Sequence, residues 1–299
     1  MALAHGALFL VAFIYGISYV FAQIVLDGYL APRALVALRL LTAWTLFALI
    51  NAAFYRRWLP ERADIPRFIA AGLTGTVINM TFFMEGLSRT SAIHASLIMT
   101  TTPVIILILS AVWLHSKIRP WQVVGVLMAG VGVVGLILAG RGLPGEGHWL
   151  GDLMILINAV SYGTYLILIT PMMRKYPTPL VIFWVFSVGL AVMLPLGGPQ
   201  LMQARPDTFT PMVWTSLAVI TLGTTFLAYL LNAWALNIVP PYVVGVYVYM
   251  QPLIATLSAV FLGRDTLTLL KVFLGILIIM GVILTNMRRS PFHRPRAGA

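Results

Sequence analysis

The chain has 299 residues, of which 60% are hydrophobic and 9% are charged, whereas about a quarter of the residues in a soluble domain are charged. Hydrophobic runs long enough to cross a bilayer recur along it, so the composition excludes a soluble protein and predicts a polytopic membrane protein. The lack of cysteine excludes disulfides and thiolate sites, and the net charge of +11 lies in short loops and a C-terminal tail, where it favours lipid headgroups over nucleic acid.

Hydropathy predicts ten transmembrane helices in an all-α protein. The first five are Gly6–Leu26, Leu35–Phe54, Phe68–Leu87, Ala92–Leu114 and Trp121–Ala139. The second five are Leu150–Thr170, Leu180–Leu196, Met212–Leu236, Pro240–Leu262 and Leu269–Thr285. The first is longer than the usual hydrophobic core of a signal peptide, so we expect it to be retained as a span.

The two sets of five spans repeat one another. Leu87 and Pro103 are answered by Leu236 and Pro252 at a spacing of 149 residues. An odd number of spans makes a tandem copy enter the membrane from the opposite side, which is the inverted-repeat plan of secondary transporters. We therefore expect repeats at residues 5–139 and 150–286, followed by a basic cytoplasmic tail at 287–299.

The distribution of basic residues predicts the orientation. Of the 19 Lys and Arg residues, twelve lie on the side of the N-terminus, six lie on the other side, and Arg39 lies within span two. The excess places both termini in the cytoplasm.

Polar and aromatic side chains collect in spans one, three, four, six, eight and nine. The candidate substrate-binding residues, in chain order, are Tyr15, Ser18, Tyr19, Asn79, Phe83, Ser96, Thr100, Asn158, Tyr162, Tyr165, Tyr229, Asn232, Tyr249 and Gln251. Several fall on single helix faces, which predicts a central cavity. The alternative for each residue is that aromatics pack between helices and hydroxyls bond to their own backbone. Spans five and ten are rich in Gly, which is typical of close packing or of a dimer surface, so we expect a monomer or a homodimer.

Two prolines lie in the middle of spans four and nine. Pro103 and Pro252 cannot donate a backbone hydrogen bond, so each is expected to leave the carbonyl of Met99 or Val248 without its usual partner. Either these positions are hinges beside the cavity, or they are static kinks.

Few ionisable residues lie within the predicted membrane limits. Arg39 is expected to extend towards the nearer interface. Glu85 or His94 is a possible proton-coupling group, because histidine titrates near neutral pH. The simpler interpretation is that Glu85 and Arg89 form an i, i+4 ion pair at the end of a helical hairpin.

Other classes of function find less support. The sequence has no HExxH, GxSxG or P-loop motif, so we expect no enzyme and no cofactor or metal. A solute-binding receptor or regulatory subunit remains an alternative to a transporter, although the loops are too short for a signalling domain.

The chain resembles the drug/metabolite transporter superfamily, in its ten-span branch of two EamA-type repeats. The resemblance covers nearly the whole chain and is carried by the segment Tyr15–Tyr19, by Arg39, and by the segment Glu85–Ala92 leading to Pro103. Many members carry Gly-Glu after spans four and nine, where this chain has His115-Ser116 and Gly263-Arg264, so no role of that acid carries over.

The resemblance implies a basket-like bundle around a central cavity and a bacterial inner-membrane exporter of amino acids, metabolites or toxic compounds. The tyrosines suit a flat aromatic solute, as in aromatic-amino-acid exporters, and the amides suit its polar groups. Aromatic cationic drugs are a further possibility, since tyrosine faces also bind cations.

Overall fold

A computed structural model describes residues 2–54, 59–114, 119–139, 149–228, 230–231, 235, 247 and 249–286, and within these residues the chain is helical with no β-strand. We number the helices in chain order: α1 (Ala2–Leu26), α2 (Pro32–Phe54), α3 (Arg62–Leu87), α4 (Ala92–Met99 and Thr102–Leu114), α5 (Pro120–Ala139), α6 (Trp149–Lys175), α7 (Thr178–Met202), α8 (Pro211–Leu227), α9 (Met250–Phe261) and α10 (Leu269–Asn286). In the described part, α1 to α7 are long and apolar enough to cross a bilayer, and α8 to α10 are shorter apolar helices. The predicted spans eight and nine extend into residues 229–248, most of which lie outside the described residues.

α2 packs antiparallel against α7, its counterpart in the second repeat. Near the end of α2, the Asn51 amide donates to the carbonyl of Pro179 at the start of α7 over 3.1 Å. At the other end of the pair, Gly197 lies directly against the backbone of Arg33. The Trp44 indole donates to Ser187 Oγ between them, over 2.9 Å.

α5 packs antiparallel against α10, also its counterpart. The Gln122 amide at the start of α5 donates to the carbonyl of Thr285 at the end of α10 over 3.1 Å. Gly125 lies against Gly281, and a Cβ on either would meet the opposite helix. The Gly residues of these spans therefore serve close helix packing, as small residues do in membranes.

The remaining contacts follow the same symmetry. The contact of α3 with α6 is matched by that of α8 with α1, and the contact of α4 with α6 is matched by that of α9 with α1. Since counterpart helices run in opposite directions, the two five-helix sets are inverted relative to each other. The predicted all-α polytopic fold with two inverted repeats is confirmed.

The bundle has two faces. The N side carries the beginning of α1 and the junction of α6 with α7. The far side carries the junctions of α1 with α2 and of α3 with α4, together with the end of α9.

Both prolines lie where a helix begins, in contrast to the prediction. α4 is interrupted at Thr100 and Thr101, so Pro103 occupies the first turn of a new segment, and Pro252 occupies the first turn of α9. The missing N–H is not needed at such positions. The carbonyl of Met99 is not left without a partner, because Thr102 Oγ1 donates to it over 2.6 Å. Val248 lies outside the described residues.

Candidate solute-binding cavity

A cavity of about 880 Å³ lies in the centre of the bundle, with walls from α1, α3, α4, α6, α8 and α9, to which α2 and α7 contribute further residues. At the N side its lining extends to Leu8, Arg174 and Thr178. At the far side it ends at Ala22 and Met84. The volume matches that of sites for small organic ligands.

Most of the candidate binding residues come together in this cavity. Its lining includes Tyr15, Ser18, Tyr19, Asn79, Phe83, Thr100, Pro103, Asn158, Tyr162, Tyr165 and Gln251. Ser96, Tyr249 and Pro252 are not part of the lining, and the Ser96 hydroxyl donates to its own helix at Ile93. Tyr229 and Asn232 lie outside the described residues.

Aromatic rings form one part of the wall. Tyr162 and Tyr165 on α6 stack with ring centroids 6.0 Å apart, and Tyr19 on α1 meets Phe83 on α3 edge-on at 5.6 Å. Gly75 allows this arrangement, because a Cβ there would meet the ring of Tyr165. The wall therefore presents flat, polarisable faces to a solute.

Two amides join α3 to α6 beside the rings. Asn158 Nδ2 donates to the carbonyl of Asn79 over 2.6 Å, and Asn79 Nδ2 approaches the carbonyl of Asn158 at 3.4 Å. Because the Asn158 amide nitrogen donates to a carbonyl, its Oδ1 remains as an acceptor, and this buried oxygen has no hydrogen-bond partner among the described residues. It is suited to an N–H donor from a solute.

α3 and α8 each contain a π-helical segment at equivalent positions, Leu73–Ile78 and Val219–Leu227. Asn79 follows the first segment directly, and Thr224 lies within the second. Both residues line the cavity. Single π-helical turns are frequently found at functional sites. The sequence carried no signal for either segment.

Arg39 lines the cavity and does not extend to the interface as predicted. Its Nε and Nη2 lie 3.4 Å from the hydroxyl oxygens of Thr225 and Thr224. α2 begins at Pro32, ahead of the predicted Leu35, so Arg39 lies about 10 Å along the helix from its far-side end. From that depth, the Arg39 side chain reaches the hydroxyl groups of α8 when it points towards that helix.

Ion pairs lie at the far-side end of the bundle. Glu85 pairs with Arg89 at 2.6 Å and with Arg33 at 3.4 Å, while Arg264 after α9 pairs with Asp27 after α1. Glu85 is thus part of a surface cluster outside the cavity.

A buried pair of a histidine and a carboxylic acid side chain lies between α4 and α6. His94 Nδ1 is 3.0 Å from Asp152 Oδ2, and Thr90 donates to Oδ1 of the same carboxylate. His94 and Asp152 are both fully buried, and within the described part of the chain His94 Nε2 has no hydrogen-bond partner. Asp152 was not among the candidate residues predicted from the sequence. Its signal was a lone acid within an apolar span, which is rare unless functional.

Comparisons with known proteins agree with this architecture. The model of the EamA-like transporter family matches the chain twice, at residues 2–138 and 149–287. An uncharacterized transporter of Archaeoglobus fulgidus is 26% identical, covering 95% of this chain and 98% of the relative. The uncharacterized transporter YdfC of Bacillus subtilis is also 26% identical, over 90% of this chain and 86% of its own length.

The fold has a counterpart among solved structures. One crystal structure superposes with a TM-score of 0.60 over 96% of this chain and 97% of its own chain. Its sequence identity of 20% bears on the fold alone.

Proposed function

The chain belongs to the EamA-like transporter family, and on that basis we propose that it is a secondary transporter that exports small organic solutes, amino acids with an aromatic side chain foremost. It works by alternating access through the central cavity. The observation that carries this proposal is one central cavity whose wall has aromatic faces, a guanidinium and an amide oxygen with no partner among the described residues.

The conformation supports alternating access. The cavity lining reaches the N side at Arg174 and Thr178 and ends at Ala22 and Met84 towards the far side. Inverted repeats can exchange these roles, which exposes the same site to the opposite side.

We assign the N side to the cytoplasm of a bacterial cell, on the excess of Lys and Arg there. The conformer then faces the cytoplasm, as an exporter does when it loads its solute. The two repeats, 5–139 and 150–286, would share the site, and the tail 287–299 would lie in the cytoplasm.

Between the two candidate coupling groups we infer that His94, paired with Asp152, binds the coupling proton, and that Glu85 does not. His94 is buried beside Asp152, and its Nε2 has no hydrogen-bond partner among the described residues, while histidine is the side chain most often used as a proton carrier near neutral pH. Other charged groups on or next to the helices around α4 have partners of their own: Asp27, Glu85, Arg89, Arg264 and Lys271.

The test is uptake of labelled phenylalanine, tryptophan and alanine into proteoliposomes of the purified chain. We expect saturable flux that favours the aromatic solutes. Tyr162→Leu should raise the KM for tryptophan about tenfold, because the stacking face is lost. Tyr29→Leu is the control: Tyr29 packs against Phe209 away from the cavity, so this substitution should leave the KM unchanged. Binding without flux would favour a receptor or regulatory subunit instead.

A further inference from the structure

The amides of Asn79 and Asn158, which we call the amide pair, hold each other in one orientation. Each amide nitrogen is directed at the main-chain carbonyl of the other residue, over 2.6 Å from Asn158 and 3.4 Å from Asn79. A carbonyl accepts hydrogen bonds and cannot donate them, so turning either amide round would bring two oxygens together. The contact therefore places both nitrogens between α3 and α6 and leaves both Oδ1 atoms as acceptors.

Both members of the amide pair lie in the cavity wall. Asn158 is 1% exposed, and its Oδ1 has no hydrogen-bond partner among the described residues, whereas Asn79 is half-buried. Buried acceptors in proteins are almost always hydrogen-bonded, so one that lacks a donor needs an explanation. A donor that enters from the cavity would satisfy it and would meet the more exposed Asn79 first.

Matching contacts show which positions of α1 and α6 are equivalent in the two repeats. Gly16 of α1 lies against Ile254 of α9, and Gly163 of α6 lies against Ile105 of α4. Since α9 is the counterpart of α4, the two glycines occupy equivalent positions.

The amide pair has no equivalent in the other half of the cavity. Five residues before the equivalent glycines, α6 has Asn158 and α1 has Val11. The residue that follows the π-helical segment is Asn79 in α3 and Ala228 in α8. Val11 and Ala228 are buried and apolar. The cavity therefore has hydrogen-bond acceptors at the α3–α6 side that the α8–α1 side does not repeat, so a solute can be held in one orientation.

We propose that the amide pair binds the amino group of the transported solute. This inference rests on the proposed function and names the group by which its substrate is recognised and oriented. An ammonium has three N–H donors on one atom and no acceptor, so it complements two amide oxygens. Tyr162 and Tyr165 lie four and seven residues after Asn158 on the same face of α6, where their stacked rings can contact the apolar part of the solute.

The amide pair recognises N–H donors and not positive charge as such. No Asp or Glu among the described residues lines the cavity, so these acceptors are neutral. Neutral acceptors suit an ammonium whose counter-charge lies on the same molecule, as in an amino acid. A quaternary ammonium can lie against a tyrosine ring, but it has no hydrogen to donate to an amide.

The experiment measures binding to the full-length chain in nanodiscs by calorimetry. The probes share one ring and one carboxylate: phenylalanine, its N,N,N-trimethyl derivative, which keeps the positive charge without N–H donors, and 3-phenylpropionate, which has no nitrogen. We expect the last two to bind at least about tenfold more weakly than phenylalanine, as for the loss of a hydrogen bond to a charged group. Equal binding of phenylalanine and either of the other probes, or no binding of phenylalanine, overturns the proposal.

Two variants separate hydrogen bonding from the size of the methyl groups. Asn79→Leu keeps the main-chain carbonyl that holds Asn158, and it should weaken phenylalanine about tenfold while 3-phenylpropionate binds as before. Asn158→Leu should have the same effect. A preference for phenylalanine over the trimethyl derivative that persists in both variants would come from size and overturns the proposal. If Asn158→Leu does not fold, Asn79→Leu and the probe series decide.

Asn51→Leu is the matched control. Asn51 is a buried amide whose Oδ1 also lacks a partner among the described residues, but it lies between α2 and α7 and does not line the cavity. Its substitution should leave the affinities of all three probes unchanged. A loss of phenylalanine binding equal to that in Asn79→Leu would be a general effect of removing a buried amide and overturns the proposal.

Flux measurements separate this proposal from the proposed function. Binding that requires the amino group and the amide pair, without any flux, would support the proposal and contradict a transporter. Flux that accepts the trimethyl derivative as readily as phenylalanine would support a transporter and contradict recognition by the amide pair.

Discussion

Asp152 shows how much one residue can decide in a membrane protein. It lies in the first turn of α6, is fully buried, and its carboxylate contacts Thr90 and His94. A buried carboxylate is tolerated only if its charge is paired and its oxygens are hydrogen-bonded. Thr90 and His94 contact the two carboxylate oxygens, so substitution of Asp152 should affect both stability and any proton-dependent step.

Asp152→Asn should lower the free energy of unfolding by about 3 kcal/mol, because the substitution breaks a buried pair. It should also abolish the response of solute flux to an imposed pH gradient, while downhill flux persists. Thermal unfolding in nanodiscs and proteoliposome uptake measure the two effects. Glu85→Gln, in the far-side surface cluster, is the control and should change stability by less than about 1 kcal/mol. A pH response that survives in Asp152→Asn but disappears in Glu85→Gln would reverse our assignment of the coupling group.

At the scale of elements, α4 is two helical segments joined at a polar break. Three consecutive threonines end the first segment and begin the second, and their hydroxyls donate to backbone carbonyls of the preceding turn. Pro103 could not continue the first segment. The threonines satisfy the groups that the break exposes, which the membrane requires.

Thr102→Val should destabilise the chain by about 1–2 kcal/mol, because the carbonyl of Met99 loses its hydroxyl donor inside the bundle. Thr45→Val is the matched control. Its hydroxyl donates to the carbonyl of Leu41, four residues earlier, on an exposed face of an uninterrupted helix, so the change should be near zero. Thermal midpoints of the two variants in the same detergent test the difference, and equal shifts would mean that the break needs no hydroxyl.

The elements also show where sequence reasoning reached its limit. Stripes such as Asn158, Tyr162 and Tyr165 could be predicted, since their positions depend only on helical periodicity. The direction of the Arg39 side chain could not be predicted, because it depends on where α2 begins and on hydroxyl groups of α8, 185 and 186 residues away in the sequence. No residue type in the sequence predicted the two π-helical segments either.

For the whole molecule, the protein class and the number of spans could be predicted from hydropathy and from the 149-residue internal repeat. Both can be read from the sequence without knowledge of contacts between helices. The meeting of His94 with Asp152 depends instead on a crossing in which Gly86 and Gly151 let α3 and α6 touch. A contact between the two repeats cannot be predicted from a hydropathy profile.

The absence of cysteine makes the topology directly testable. Thr178→Cys, at the N-side end of the cavity, and Ala31→Cys, exposed at the far-side junction of α1 and α2, should react with a membrane-impermeant maleimide from opposite faces. Labelling in intact cells and in inverted vesicles reads this out, with the cysteine-free parent as the blank. Reaction of both from the same face would contradict the inverted arrangement.

The pairing of α5 with α10 has a consequence for evolution as well as for mechanism. α5 and α10 are counterparts in the two repeats, so under the proposed alternating access their contact would be the same in the inward-facing and outward-facing conformations. A substitution at that seam alters the energies of the inward and outward forms alike. Substitutions at the contact between α5 and α10 should therefore change the amount of folded protein in the cell, while the turnover rate of each molecule stays the same.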